Sequence, residues 1–533
     1  MREKRLDKSL FDCVRVILRN NTINMKNTVF IFFLMFWAGI LQSQNIKYSI
    51  PDRDDTKEMN FEIIGKVSGN YSIYKNNRNS HDICIYDTEM ELKNRIRMEF
   101  LPERITNVDF VAYGDFYYMI YQYQKKNILH CEMIKLNGEG KLMTEAVELD
   151  TTQISGSSEN KIYSVINSDD KKKILVFKVK RQHEKGYQIT SLLYDNQMSL
   201  IKRSVFTLQV NNKDGLFTDF LLDNDGDFVV GLCGRSGNRE YINKFELLFK
   251  KAEEDRPVLI PVNLEDKTLD EVKIKFDNYN KRIITTSLYY KLKKNNIDGI
   301  YSMIWDKKNE TILKETSFQF NDSIRLDAKG ESGSIKAAFN DHFIKQVIPL
   351  QDGGYAVTTE LYYSSSKSNV WNRYDYLYGN NMFLPYNYGY YSPFNRFNYM
   401  GYYDPFNRFN MGNQVRYSCG NIMVFFFEAD GSLRWNNTIR KSQFDDNTDS
   451  YLSYQLFNTG TDLRFLFNQK EKREFLLNSV SIDSDGKIKR QPTLKNLNRD
   501  YEFMPKHGKQ VGLRQVILPC MYKNYICFAK LDF

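Results

Sequence analysis

The chain has 533 residues, of which 14% are aromatic and 26% charged, and a formal net charge of +9. That length fits two or three ordinary domains or one large repeat domain. Beyond residue 44, 68 Lys/Arg stand against 63 Asp/Glu, interleaved rather than striped, which argues against nucleic acid as a partner.

The first element is an apolar run of 13 residues, Val29–Leu41 (VFIFFLMFWAGIL), with Lys26 before it and Gln42-Ser43-Gln44 after it. It has the length of a signal-peptide core and falls short of the ~20 residues that a membrane helix needs. Met25 stands where such a peptide begins, so residues 25–44 read as a signal peptide and residues 1–24 as an upstream extension. The rival reading keeps residues 1–24 as a cytoplasmic segment whose Arg and Lys leave an uncleaved anchor. Cysteines stand at 13, 84, 131, 233, 419, 520 and 527. Six follow the signal peptide, enough for three disulfides in an oxidising compartment. Cys84, Cys131, Cys233 and Cys527 fall in strands of different units, however, and the spacing shows no framework. Most therefore read as small buried hydrophobes.

From Asn60 onward, a unit of about 50 residues recurs, each copy being four short strands joined by tight turns. Unit one runs Asn60, Tyr71–Tyr74, Ile83–Asp87 and Arg95–Phe100, and unit two occupies Asn107–Leu149. The third covers Lys161–Leu208, the fourth Phe217–Leu264 and the fifth Glu271–Phe320. In the sixth, His342–Gly353 and Tyr355–Tyr363 are parted from Asn421–Gly431 and Ser432–Ile439 by an insertion, residues 364–420. The seventh spans Tyr451–Leu494. Hairpins carry Asp223-Asn224-Asp225-Gly226, Asp352-Gly353, Asp430-Gly431 and Asp485-Gly486, residues that tolerate a positive φ in tight turns.

This pattern predicts an all-β fold, a β-propeller of four-stranded blades filling residues 45–533. Two strands are left over at the end, Arg514–Cys520 and Tyr525–Phe533, and the mature N-terminus offers one more, Asn45–Ile50. Pairing them closes the ring without open edges. That gives eight blades, the last shared between the N- and C-terminal strands, with a seven-bladed ring as runner-up. Two connections, Asn321–Asn340 (with a short helix at Ser334–Phe339) and Lys495–Gly512, exceed the usual length and build up one face.

The insertion departs from the scaffold in composition. In residues 371–410, 16 of 40 are Trp, Tyr or Phe, and a 12-residue period repeats Tyr391-Ser392-Pro393-Phe394-Asn395-Arg396-Phe397-Asn398 as Tyr403-Asp404-Pro405-Phe406-Asn407-Arg408-Phe409-Asn410. That period matches neither a strand face nor a helix face. Joining the second and third strands of its blade, the insertion emerges on the same face as the blade-to-blade connections. Trp371, Tyr391, Phe394, Arg396, Tyr403, Phe406 and Arg408 are the candidate contact residues, because aromatic planes beside Arg and Asn suit sugar rings or a protein partner. The competing reading is a low-complexity loop expanded by repeat slippage.

Motifs for chemistry are sparse. Asp223-Asn224-Asp225-Gly226-Asp227 resembles the start of a calcium loop, but Gly234 stands where the EF-hand places its Glu, so a hairpin turn is the simpler reading and no metal site is expected. The five His lack metal-ligand spacing, and no nucleophile elbow, Walker loop or dinucleotide fingerprint occurs, so no cofactor is expected. A glycosidase-like carboxylate pair drawn from several blades stays open. Asp445 and Asp446, near an inter-blade connection, read as solvated loop charges.

The Met25 signal peptide ending in Gln-Ser-Gln, the Lys/Asn/Tyr-rich style, and Tyr501-Glu502-Phe503-Met504-Pro505-Lys506 followed by Cys527-Phe528-Ala529-Lys530-Leu531-Asp532-Phe533 resemble exported propeller-repeat proteins of Bacteroidetes-type bacteria. The resemblance implies a periplasmic or envelope location and no mechanism. Without a recognisable C-terminal sorting domain, it favours periplasm or envelope over release. The function expected is an exported scaffold that binds a protein or glycan partner through one loop-rich face, without catalysis. The alternatives are a carbohydrate-active hydrolase or lyase with carboxylates at the channel, and a structural envelope component.

Overall fold

The computed structural model describes residues 45–57, 59–77, 80–102, 105–155, 161–182, 186–209, 216–218, 220–235, 241–292, 295–329, 334–366, 371–378, 390–391, 415–446, 448–471, 474–491 and 501–533. The signal segment read at residues 25–44 lies outside them. Ile46–Leu531 forms one compact unit, the propeller.

Eight antiparallel sheets follow one another along the chain, as the eight-bladed reading expects. Blade 1 is Asn60–Val67, Asn70–Asn77, Ser80–Tyr86 and Leu92–Arg97, hydrogen-bonded in that order. Blades 2 and 3 span Ile105–Gln153 and Ser164–Leu208. In blade 4 the first strand is broken into Leu216–Phe217 and Leu221–Leu222, both paired with Phe228–Gly234. Blades 5, 6 and 7 span Lys267–Gln319, His342–Ile439 and Tyr454–Arg490. The first strands of blades 1 and 2, and of blades 3, 4, 5 and 6 in turn, lie against one another on the inner wall of the ring.

Burial explains why the strand sequences are apolar on both faces. In blade 2 the strand Phe116–Lys125 turns Tyr117, Met119 and Tyr121 toward blade 1, where they join Tyr74, Ile83 and Ile85. Its alternate residues, Tyr118 and Ile120, face blade 3 and pack with Val176 and Leu192. Each fully buried aromatic contributes roughly 1.5–3 kcal/mol, and no blade realises that gain without a neighbour on each side.

The closing blade differs from its sequence-based description. Its order is Asn45–Tyr48, Tyr525–Asp532, Gln515–Tyr522, then two short inner strands, Tyr501–Phe503 and Lys509–Gly512. The inner pair falls in the stretch read above as a long connection. Pro505, which has no N–H to give a sheet, opens a 3-10 turn, Pro505–His507, that divides the edge into two pieces too short to register as strands. The terminal strands do share this blade. Between blades 5 and 6 the short helix expected at Ser334–Phe339 is a 3-10 turn, Ile335–Ala337, and a further helix, Asp322–Ala328, precedes it, capped by the Asn321 side chain.

The N-terminal segment is fastened by more than sheet bonds. Ser49 exchanges two hydrogen bonds with Phe528, and Ile526 N donates to Asp55 O at 2.6 Å. Beneath them, Lys75 Nζ of blade 1 meets Asp55 Oδ2 at 2.6 Å, with the two side chains only 3% and 1% exposed. Removing one partner of such a pair leaves a buried charge unmatched. Replacing Asp55 with Ala is therefore expected to cost about 3–5 kcal/mol in urea unfolding, and a loss below about 1 kcal/mol, the range of a surface pair, would contradict the latch.

Candidate functional site

The two strands that flank the insertion continue beyond the body of blade 6 as a β-ribbon, Tyr362–Ser366 pairing with Val415–Cys419. The insertion therefore leaves the ring from a paired stem. Immediately after it, residues 371–378 fold back onto blades 5 and 6. Arg373, on the short helix Arg373–Tyr378, places its fork on Asp270 of blade 5, with Nε 3.0 Å from Oδ1 and Nη2 2.6 Å from Oδ2. Its third nitrogen, Nη1, donates to Asn340 O at 2.9 Å, and the guanidinium lies 3.8 Å over the Phe343 ring. This combines bidentate pairing with cation–π stacking, which a lysine cannot reproduce.

Trp371 belongs to this anchor. Its indole N–H donates to Asp341 Oδ1 at 2.9 Å, and its ring packs against Tyr362 and Tyr376 at 5.7 and 5.4 Å. Tyr376 also meets Phe343 at 4.8 Å, and Leu377 is buried beside them. Farther on, Tyr390–Tyr391 pairs antiparallel with Lys180 and Val179, lying alongside the strand Lys173–Gln182 of blade 3. The insertion thus starts on blades 5 and 6 and reaches blade 3. Of the candidate residues, Tyr391 is placed through its backbone; Phe394, Arg396, Tyr403, Phe406 and Arg408 lie outside the described residues.

The rim beside the anchor is held by buried polar groups. Arg325 donates to Phe320 O, Lys336 O and Asp298 O, tying the connection between blades 5 and 6 to the ring. His342 is fully buried between Ala328 O and the Thr359 hydroxyl, each at 3.1 Å, and burial pushes its imidazole down to about 4. Glu360, also without exposure, lies between Lys441 Nζ at 2.8 Å and Lys345 Nζ at 3.3 Å, and accepts from Ser453 Oγ at 2.5 Å. Despite burial, the two ammonium groups hold its carboxyl below the ordinary value.

A second group lies on the inner wall where blades 8, 1, 2 and 3 meet. Asp109 is gripped by Lys161 Nζ at 2.6 and 2.9 Å and by Asn107 Nδ2 at 2.8 Å. Lys509 Nζ donates to Ile63 O and Ile64 O, and desolvation of its ammonium group among these neighbours lowers its pKa. Glu62 stands among them. Burial, reinforced by the Asp109 charge and opposed by Lys509 and Lys161, pushes its carboxyl up to about 7. A carboxyl that titrates near neutrality can give or take a proton, which is the property a general acid or base needs. Sequence spacing hid this group because its members stand at 62, 109, 161 and 509.

The remaining sequence candidates sort cleanly. The carboxylates of Asp223, Asp225 and Asp227 do converge, their oxygens within 4.8 Å of one another. Lys307 Nζ contacts all three, at 2.6 Å from Asp225 and 2.8 Å from Asp227, and Lys281 adds a second ammonium on Asp225. Asp223 Oδ1 also accepts from the N–H groups of Asp225 and Asp227, the bonds of a hairpin turn. Asp446 pairs with exposed Arg416, while Asp445 accepts from Thr448 N and, against the loop reading, ends a short strand, Gln443–Asp445, that pairs with Tyr417–Cys419. On blade 2, His130, Glu132 and Glu148 also bring their ligand atoms within 4.8 Å; Glu132 accepts from the Tyr121 and Tyr123 hydroxyls and His130 Nδ1 meets Glu148 at 2.7 Å. Among the described residues, no helix is long and apolar enough to cross a membrane.

No family model and no curated protein matches the chain. Among solved structures, it is similar at 9% identity to a polysaccharide lyase, an ulvan lyase, over 79% of this chain and 90% of that one, with a TM-score of 0.35. Prolyl oligopeptidase B from Galerina marginata matches 88% of this chain with 56% of its own, at 9% identity and a TM-score of 0.38. Synechocystis apocarotenoid oxygenase matches over 92% of each chain, at 9% identity and a TM-score of 0.32. Likenesses this distant carry no argument about chemistry, which rests on the residues above.

The Glu62 group makes a signed prediction. A carboxyl raised on folding adds stability that is full below its unfolded pKa of about 4.5 and is lost as pH climbs through 7. Glu62→Gln, neutral throughout, should match the parent near pH 4.5 and exceed it by about 1–3 kcal/mol at pH 8. Urea unfolding at the two pH values measures the difference, and a pH-independent gap would show that Glu62 is not held protonated.

Proposed function

We propose that this chain is an exported recognition scaffold of the bacterial envelope, binding a protein or glycan partner through the face that carries the insertion. The observation that carries this reading is the attachment of residues 371–378 and 390–391 to the ring. The first stretch is locked to blades 5 and 6 by Arg373 and Trp371, and the second adds to blade 3. Two points of attachment to a rigid ring lower the entropic cost that a segment pays when it orders on a partner. The tandem Tyr-x-Pro-Phe-Asn-Arg-Phe-Asn units supply stacking planes, amides and guanidinium forks, the chemistry of sugar and hot-spot contacts. Engagement of Trp371 and Arg373 inside the anchor assigns them to positioning, and leaves contact to the repeats.

A second reading, a carbohydrate-active hydrolase or lyase, draws support from Glu62. Its near-neutral carboxyl beside Asp109 and two lysines on the inner wall has the proton-transfer chemistry that such a reaction uses.

The test exchanges residues 392–414 for a Gly-Ser linker of equal length, leaving the anchor and the blade 3 strand in place. On glycan arrays and in pull-downs from envelope extract, binding should fall at least about tenfold, a loss of ~1.4 kcal/mol, with the melting temperature unchanged. Equal binding by the two proteins would remove the repeats from recognition and move the search to Glu62.

A further inference from the structure

All six cysteines of the propeller are buried, and four of them, Cys84, Cys131, Cys233 and Cys419, sit in separate sheets. Cys520 and Cys527 are different. They lie on the adjacent strands Gln515–Tyr522 and Tyr525–Asp532 of the closing blade, joined by a two-residue turn at Lys523-Asn524. Counting back from that turn places them directly opposite each other. Their sulfurs are 3.1 Å apart, closer than two unbonded sulfurs rest. Directly facing residues of an antiparallel pair have Cα atoms about 4.5–5.5 Å apart, inside the range of about 4.4–6.8 Å that a disulfide spans. A bond between them closes the sulfurs by about 1 Å, from 3.1 Å to about 2.05 Å, which side-chain rotation and a small approach of the two strands supply.

We propose that Cys520 and Cys527 are a modification site, oxidised to a cross-strand disulfide that locks the closing blade. The bond lies in the hairpin that receives the N-terminal strand. Tyr525–Asp532 is the partner of Asn45–Tyr48, and Tyr48 from that strand packs at a tilt against Tyr501 at 4.3 Å, with Tyr501 in turn stacked on Tyr522 at 4.6 Å. Joining the second and third strands of this blade holds the receiving edge in register for the N-terminus. The oxidant is a low-molecular-weight disulfide such as oxidised glutathione. One cysteine thiolate attacks it, forming a mixed disulfide and releasing one glutathione thiol; the facing cysteine then displaces the second. Two protein thiols lose two electrons and two protons, and one oxidised glutathione becomes two thiols. Because both sulfurs are buried in the finished ring, the exchange belongs to folding, while the hairpin is still open.

The test refolds the purified protein from urea with oxidised glutathione, and in parallel with excess reductant. After alkylation in denaturant and digestion, the oxidised sample should yield one peptide pair joined through Cys520 and Cys527, lighter by about two hydrogens than the thiol form. The other four cysteines should be alkylated. Unfolding in urea should be at least about tenfold slower for the oxidised form, and reductant added to the unfolded oxidised protein should abolish the difference on refolding. Cys527→Ala should refold to the reduced protein's rate under both conditions, which separates the cross-link from any effect of glutathione itself. Complete alkylation of Cys520 and Cys527 after oxidative refolding, or pairing of either with another cysteine, would overturn the proposal. So would a cross-link that leaves the unfolding rate unchanged.

Discussion

Everything in this structure depends on closing a ring. A blade of four strands is apolar on both faces, so it is stable only between two neighbours, and the first and last blades find theirs only if the chain's ends meet. The meeting point is the closing blade, where Asn45–Tyr48 pairs with Tyr525–Asp532. Under it, Asp55 and Lys75 form a dry ion pair that joins the N-terminal segment to blade 1. The pair is a poor source of net stability, because both charges lose water, but it is strongly specific: a shifted N-terminus would leave Lys75 buried without a carboxylate. Phe61, Tyr71, Ile517 and Phe528 then bury the seam between blades 8 and 1.

The closed ring gives the insertion a fixed base. Arg373 can bridge Asp270 of blade 5 and Asn340 ahead of blade 6 only because those blades hold a constant distance. The same rigidity lets Tyr390–Tyr391 find an unpaired edge on blade 3. On the inner wall it brings Glu62, Asp109, Lys161 and Lys509 together from four parts of the sequence. Desolvation there raises one carboxyl toward neutrality while an ammonium group grips the next. Other buried carboxylates are matched by a lysine or arginine, as in Asp150 with Lys178 and Asp277 with Arg282.

Much of the architecture was legible because turn chemistry and strand alternation are local. Gly226 and Gly486 follow Asp-rich turns and adopt φ of +94° and +80°, values that favour glycine, so the hairpins could be placed from residue types alone. The inner strands of the closing blade were not legible, since Tyr501–Phe503 and Lys509–Gly512 are short and separated by a proline turn. Nor was the blade 4 edge, whose first strand folds as two pieces, Leu216–Phe217 and Leu221–Leu222. For the site, the aromatic insertion announced itself by composition, whereas the duty of its first residues did not. Trp371 reads as a contact residue, and its packing depends on Asp341 and Tyr362, which composition cannot pair with it. The Asp223 loop shows the reverse limit: three carboxylates at calcium-like spacing converge, and a lysine from 80 or so residues later occupies their centre.

Hydrogen–deuterium exchange of the native protein tests ring closure most directly. If the closing blade completes a cooperative unit, the amides of Tyr525–Asp532, with Phe528 N bonded to Ser49, should exchange as slowly as those of the inner blades and lose protection with them in rising urea. Fast exchange of Tyr525–Asp532 while blades 1 to 7 stay protected would mean that the ring holds without its terminal strands, and the account of closure would fail.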